Sequence, residues 1–467
     1  MAIEMSSPWI AGPVGAAAGA ALAWIATEYK TRKTYRNVIM LLAKSADDFA
    51  GEGQVDKALS IYDQILKDVP RLEPAVRGEV RFRQGLSRYG QSFEGARDTN
   101  LRRAVEAFEE AIRLYKPEKY PVEHAQAQNG LGMSLVRLSE TGDGGWGGRT
   151  SGGRMEREEE RVQSLKRAIG AFEEALKLYA AEGRSQEHAQ TENNLGDAYL
   201  LLSGLESRDV DSVASVAAAA NLKRSIEAYE EALKFRTSEE QPEDYAETKN
   251  SLGRAQMALA LVEEGETEMR EALLEKAISS FKAALEVRTA DSHPEERAET
   301  QTLLGQALVL ESEPSVSGSE VHWADREGLK MAIEAYEEAL AVRTQKSHPE
   351  EYAETKNLLG RALVILSGPA SGPEDAANLK RAIRAFEEAL TIRTQEASPL
   401  DYAETQNNLG IAYRNLSKLE DREDNLERSI RAYEEALRAR SAGAKRAAGE
   451  KGSEEKAEVE NVEMSGE

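Results

Sequence analysis

One short pattern returns eight times along this chain and constrains its fold more than any other feature. Each copy has an alanine or serine, an aromatic residue four positions later, and an alanine or isoleucine three positions after that. These spacings place the three side chains on one face of an α-helix. We call the segments that carry the pattern B helices. The copies are Ala58/Tyr62/Ile65, Ala104/Phe108/Ala111, Ala168/Phe172/Ala175, Ser225/Tyr229/Ala232, Ala277/Phe281/Ala284, Ala332/Tyr336/Ala339, Ala382/Phe386/Ala389 and Ser429/Tyr433/Ala436.

A second pattern, leucine followed by glycine, marks the partner segments, which we call A helices. Its glycines are Gly132, Gly196, Gly253, Gly305, Gly360 and Gly410, and a degenerate copy surrounds Gly85. From the last alanine of a B helix to the next of these six glycines the distance is always 21 residues, as from Ala339 to Gly360. From each of these glycines to the next B helix the distance varies between 19 and 36 residues. The B helix, its turn and the following A helix therefore have a fixed length, and the A-to-B loops take up the insertions.

The two patterns predict an all-α fold. We expect a right-handed superhelical solenoid of about eight helix pairs over residues 34–440. Prolines ten residues after a B-helix alanine suit the first position of each A helix, as at Pro294 and Pro349. Only 6% of the residues are aromatic and 31% are charged, which favours amphipathic helices over a sheet core. We recognise no strand pattern.

The repeats resemble the tetratricopeptide repeat family over roughly residues 35–440. In the first copy Phe49, Gly53, Ala58, Tyr62, Ile65 and Pro70 follow the spacing of that family. The stretch from Ser347 to Gly360, Ser-His-Pro-Glu-Glu-Tyr-Ala-Glu-Thr-Lys-Asn-Leu-Leu-Gly, is similar to the long-repeat branch found in kinesin light chains and in bacterial and archaeal signalling proteins. The resemblance implies that the A helices line the inner wall of a superhelix and bind segments of other proteins there.

Candidate binding residues occupy two positions of each A helix. Three residues before the glycine stand Asn129, Asn193, Asn250, Asn357 and Asn407, with Thr302 in the remaining repeat; directly after it stand Arg254, Gln306 and Arg361, among others. Amide side chains both donate and accept hydrogen bonds, so the asparagines suit an extended peptide; alternatively, they bond the neighbouring helix or their own turn. The two arginines suit an acidic side chain or a terminal carboxylate; alternatively, they pair with Glu247 and Glu354.

The two ends of the chain differ from the repeats. Residues 5–27 carry no charge and basic residues follow, which predicts that residues 1–33 form a single-pass membrane anchor with the repeats on the cytoplasmic side. A buried helix and a cleaved signal are the alternatives for this segment. Gly15 and Gly19 lie four residues apart and could join two such helices in a homodimer. Residues 441–467 are rich in Ala, Gly, Lys and Glu, which predicts a disordered tail.

Composition restricts the function. The formal net charge of −23 disfavours nucleic acid as a partner, and the absence of cysteine excludes thiol catalysis and cysteine-bound metals. We find no histidine spacing typical of a metal site and no phosphate-binding loop, so we expect neither a cofactor, nor a metal, nor enzymatic activity. The sequence predicts a membrane-anchored scaffold or adaptor for other proteins. The alternatives are a soluble, self-assembling cytoplasmic repeat protein and a regulatory subunit of a separate enzyme.

Overall fold

A computed structural model describes most of the repeat array. The described residues are 32–68, 73–93, 96–141, 151–206, 212–263, 267–313, 315–317, 320–322, 325–368 and 371–442. The A helices are α1 (Arg32–Gly51), α3 (Pro74–Gln91), α5 (Pro121–Glu140), α7 (Ser185–Glu206), α9 (Pro242–Val262), α11 (Pro294–Ser312), α13 (Pro349–Ser367) and α15 (Pro399–Leu416). The B helices are α2 (Val55–Asp68), α4 (Arg97–Leu114), α6 (Ser151–Ala181), α8 (Ser212–Ala232), α10 (Thr267–Val287), α12 (Arg326–Val342), α14 (Pro373–Leu390) and α16 (residues 422–442).

The helices alternate between A and B along the chain and divide into two compact units. The first unit comprises Met1–Gly147 and Glu156–Arg208, and the second comprises Gly148–Met155 and Asp209–Glu467. Within each unit consecutive helices pack in series, as α3 on α4 and α4 on α5 in the first, and α11 on α12 and α12 on α13 in the second. The prediction of paired helices in an all-helical array is confirmed.

In six of the pairs a glycine of the A helix lies under the ring of the B helix that follows it. A Cβ placed on Gly253 would lie 2.7 Å from Cε1 of Phe281, and one on Gly360 would lie 2.5 Å from Cε1 of Phe386. Both rings are completely buried. Only glycine leaves room for such a contact, because carbon atoms ordinarily approach to about 3.5–4.0 Å. The glycine of the Leu-Gly pair therefore faces the B helix, and Gly85 of the degenerate copy makes the same contact with Phe108.

An arginine and a threonine hold the fixed turn between a B helix and the next A helix. Arg236, which is 1% exposed, donates from Nη1 to Oγ1 of Thr248 at 2.7 Å. Arg288 donates to Thr300 at 2.8 Å, and Arg393 to Thr405 at 3.4 Å. Burial lowers the pKa of the Arg288 guanidinium. In each pair the arginine precedes the threonine by 12 residues. The bond spans the turns after α8, α10 and α14, whereas Tyr115 and Tyr179 stand at the arginine position of two first-unit turns with the same interval.

A short hairpin corrects the expectation that the chain has no strands. Strands β1 (Ser315–Ser317) and β2 (Glu320–His322) pair antiparallel between α11 and α12, with Val316 opposite Val321. The hairpin lies in an A-to-B loop, where the sequence had predicted insertions. It forms no sheet core.

The prediction of a single-pass membrane anchor is corrected. No helix among the residues that the structure describes is long and apolar enough to cross a membrane. The charge-free run, with Gly15 and Gly19, falls within residues 1–31, outside the described residues. The predicted tail also lies outside them from residue 443 onward, while residues 441–442 end α16.

Candidate functional site

Four A helices of the second unit lie side by side. Helices α9 and α11, α11 and α13, and α13 and α15 contact one another, and each packs on its B helix along another side. We call the exposed side chains of α9, α11, α13 and α15 the A face. The buried side of each helix carries the same small residues, for example Ala246 and Gly253 in α9. The A face carries polar side chains whose charge differs from one repeat to the next.

The predicted asparagines lie largely inside the stack of helices. Asn193, Asn250 and Asn357 are buried, whereas Asn129 and Asn407 are half-buried. In the second unit, Nδ2 of Asn408 on α15 donates to Oδ1 of Asn357 on α13 at 3.1 Å. These contacts connect adjacent A helices.

The asparagines of the first unit make comparable bonds. Nδ2 of Asn194 on α7 donates to Oδ1 of Asn129 on α5 at 3.2 Å. Asn193 donates to Asp197 of its own helix at 3.3 Å. In the second unit, Oδ1 of Asn250 is buried and accepts no hydrogen bond from the described residues. The bond to a neighbouring helix, one of the two roles considered from the sequence, is the geometry observed for Asn129 and Asn357.

The residues directly after the glycines are more accessible. Arg254 is exposed, and Gln306 and Arg361 are half-buried. Nη2 of Arg361 lies 3.9 Å from Oε1 of Glu313 rather than forming the ion pair with Glu354 that the sequence suggested. Within the described ranges Arg254 forms no ion pair, with Glu247 or with any other carboxylate. Its guanidinium is therefore a cation with five donors available to a ligand.

An apolar surface adjoins this cation on α9. Leu261 follows Arg254 by seven residues, which places both on one face of the helix, and its side chain is 57% exposed. Two turns before Arg254 on the same face, Glu247 is also exposed. The face thus offers an acid, a free guanidinium and an exposed leucine in that order along about 20 Å of helix.

A buried phenol of α12 lies close to Arg361 of the A face. Burial raises the pKa of Tyr336, whose ring lies on Gly305, and the Arg361 guanidinium partly offsets that rise. Among the described residues no cluster of three or more histidine, aspartate or glutamate side chains could hold a metal ion.

The sequence reasoning missed two sets of residues that the structure brings out. The arginines of the B-to-A turns were overlooked, although Arg-Thr recurs at Arg236, Arg288, Arg343 and Arg393 and each arginine precedes a threonine by 12 residues. The exposed apolar side chains of α16 were also overlooked, because the sequence analysis treated this helix as one more B helix. Their exposure could have been anticipated, because no Leu-Gly follows α16 at the fixed interval.

Comparison with known proteins gives structural likeness only. The sequence matches no protein-family model and no curated protein. Similar solved structures include MamA, at 19% identity over 51% of this chain and 99% of that chain, with a TM-score of 0.32. The apo form of RapI is 13% identical over 87% of this chain and 99% of that chain, with a TM-score of 0.32. The C-terminal part of a TPR repeat-containing protein from Cytophaga hutchinsonii is 11% identical over 75% and 95%, with a TM-score of 0.38.

These TM-scores are below 0.5, so the assignment of the fold depends on the helix pairs themselves. Eight A helices and eight B helices alternate in the described part of the chain. Glycine–aromatic contacts close six of these pairs, and six of the B-to-A turns have the same length. The described part of this chain is therefore an array of paired α-helices in which A and B helices alternate.

Proposed function

We propose that this protein is an interaction scaffold that binds peptide segments of other proteins along the A face of its second unit. Arg254, Gln306 and Arg361 would make the polar contacts, and Leu261 an apolar one. The buried asparagines would have the different task of holding adjacent A helices in register. We also propose that the array is a right-handed superhelix. We further propose that it belongs to the long-repeat branch, which the sequence between Ser347 and Gly360 supports.

The observation that carries the proposal is the exposed guanidinium of Arg254, which forms no ion pair among the described residues, two helical turns from the exposed Leu261. An isolated surface arginine needs no explanation, but this one stands at the position that changes from repeat to repeat while the glycine before it stays fixed. A guanidinium forms two parallel hydrogen bonds with a carboxylate. We therefore expect ligands with an acidic side chain or a terminal carboxylate next to an apolar residue.

Selection of displayed random peptides on the full-length protein tests this proposal. The selected peptides should be enriched in a carboxylate beside an apolar residue. Retention should fall tenfold or more on the Arg254→Glu/Arg361→Glu double variant, because a hydrogen bond to a charged group contributes about 1.5–3 kcal/mol and 1.4 kcal/mol corresponds to tenfold.

The matched control is Arg384→Glu on α14, an exposed arginine of a B helix outside the A face. It changes the net charge in the same direction and should leave retention of the selected peptides unchanged. Equal losses on both variants would indicate nonspecific attraction of acidic peptides. Selection of no peptides at all would contradict the proposed function.

A further inference from the structure

The final helix of the array exposes an apolar stripe. On α16, Leu426 is 36% exposed, Ile430 is 57% exposed and Leu437 is 63% exposed. Tyr433, half-buried, lies between Ile430 and Leu437 and covers Gly410 with its ring. The spacings of 4, 3 and 4 residues keep all four side chains on one face of the helix. We call these four residues the terminal stripe.

The same positions are covered in the preceding repeats. On α14, Leu379 is completely buried and Ile383 is 7% exposed, and both belong to a core cluster with Leu409 of the following A helix. Leu390, which corresponds to Leu437, is partly buried against that cluster. The terminal stripe is therefore the surface on which a repeat normally receives its successor. No further A helix follows α16 among the described residues.

A leucine on α15 extends the apolar surface at this end. On α9, α11 and α13 the residue after the helix-opening proline is glutamate, and on α9 and α11 it faces the turn of the next repeat. Oε1 of Glu243 lies 3.5 Å from Nε2 of His293, and Oε1 of Glu295 lies 3.6 Å from Nδ1 of His348. In the last repeat the corresponding residue is Leu400, which is 63% exposed. A position that is acidic on the three preceding A helices is thus apolar on α15.

The sequence after α16 does not supply another repeat. The constant interval of 21 residues would place the Leu-Gly pair of a ninth A helix at positions 456 and 457. Those positions hold Lys456 and Ala457, and the threonine expected five residues before the glycine is Gly452. A charged residue at the leucine position would have to be buried against the terminal stripe, which is unfavourable without a partner. The residues after α16 therefore lack the pattern of a ninth A helix.

The terminal stripe is complementary to itself. Its four residues are symmetric about a point between residues 431 and 432, so two antiparallel copies of α16 would place Leu426 against Leu437 and Ile430 against Tyr433 of the other copy. The same antiparallel register brings Glu423 opposite Arg440. Neither Glu423 nor Arg440 forms an ion pair with any other described residue. A twofold axis therefore matches both the apolar contacts and the charges, as an isologous interface requires.

We propose that the occupant is a second copy of this chain, and that the protein forms a twofold-symmetric dimer through antiparallel α16 helices. Leu400 lies at the rim of this interface, beside the end of α16. The interface uses α16 and Leu400 of α15, and it leaves Arg254, Leu261 and Arg361 of the A face uncovered. A dimer would therefore present two A faces and could bind two peptides of one ligand with raised avidity.

Light scattering coupled to size-exclusion chromatography on the full-length protein tests the dimer over a range of concentrations. We expect a dimer whose dissociation constant rises at least about 30-fold in Ile430→Glu or Leu437→Glu, which is the scale of a central interface residue. The control, Met331→Glu, introduces the same charge at a residue of α12 that is 42% exposed and should leave the dimer intact. A full-length chain that is monomeric throughout would overturn the proposal. In that case the stripe is covered by residues 443–467 or by a different protein.

Cysteine cross-linking tests the antiparallel register in a chain that has no cysteine of its own. Leu426→Cys and Leu437→Cys are prepared as separate full-length proteins and then mixed under oxidising conditions. The mixture should form a disulfide-linked dimer, and neither variant should do so alone, since the two positions are about 16 Å apart along the helix. Cross-linking of each variant with itself would indicate a parallel pair and overturn the proposed register.

The ion pair gives a further, independent outcome. Glu423→Arg and Arg440→Glu should each weaken the dimer, because each places like charges opposite each other. The double variant should restore it. A double variant as weak as the two single variants would contradict the pairing of Glu423 with Arg440 of the other copy.

Discussion

Replacement of Gly360 by alanine tests whether the contact between glycine and ring closes each helix pair. The added Cβ would lie 2.5 Å from Cε1 and 2.6 Å from Cζ of Phe386, a ring that is completely buried. About 1 Å of movement is needed to reach an ordinary carbon–carbon distance. Overpacking of this kind destabilises by about 1–3 kcal/mol, while alanine in a helix is favoured over glycine by about 0.5–1 kcal/mol. The net loss should be about 1–2 kcal/mol.

Urea unfolding followed by circular dichroism measures this loss as a fall in the midpoint. The control is Gly170→Ala on α6, where an added Cβ would meet nothing within 4 Å. That variant should gain about 0.5–1 kcal/mol from helix propensity alone. In the Gly360→Ala background, Phe386→Leu should destabilise less than it does in the wild type, because the two residues are in contact. A Gly360→Ala protein as stable as the control would refute the reasoning.

Three further predictions follow from other contacts. Arg288→Met and Thr300→Val should each destabilise by about 1–3 kcal/mol, and a double-mutant cycle should show that their effects are not additive, because they remove the same buried hydrogen bond. Asn357→Ala should lower the urea midpoint by leaving Asn408 without its acceptor, whereas Asn408→Ala in addition should change it little. Burial raises the pKa of Tyr62 to about 12, so the folded state favours the neutral phenol. The resulting stability is complete below pH 10 and lost as the pH rises towards 12, and a pH series of unfolding curves should show a smaller loss in Tyr62→Phe.

The sequence was sufficient to predict the paired helices because the spacing of its repeated residues is regular. The constant interval from Ala339 to Gly360 reports a turn whose length is fixed by packing, and the pattern around Phe386 reports a buried helix face. The hairpin at Ser315–Ser317 escaped prediction because strands of three residues are too short to show an alternation.

The candidate site was harder to predict because it depends on contacts between repeats. Asn357 looks like a ligand-binding residue until Asn408, 51 positions away, is seen to donate to it. Arg254 and Arg361 occupy equivalent positions in the sequence, yet among the described residues only Arg361 has a carboxylate, that of Glu313, within 4 Å. Periodicity identifies the face on which a side chain lies, but it does not identify the neighbour that occupies that face.

The central functional claim is that Arg254 on the A face receives a carboxylate of the ligand, and a charge exchange tests it most directly. Two fluorescently labelled peptides are compared: an acidic peptide from the selection, and the same peptide with its acidic residue replaced by lysine. Each is titrated with the full-length wild type and with Arg254→Glu, and binding is measured by fluorescence anisotropy. The account predicts that Arg254→Glu binds the acidic peptide at least tenfold more weakly than the wild type does, and binds the lysine peptide more tightly. Equal binding of both peptides by both proteins would contradict it.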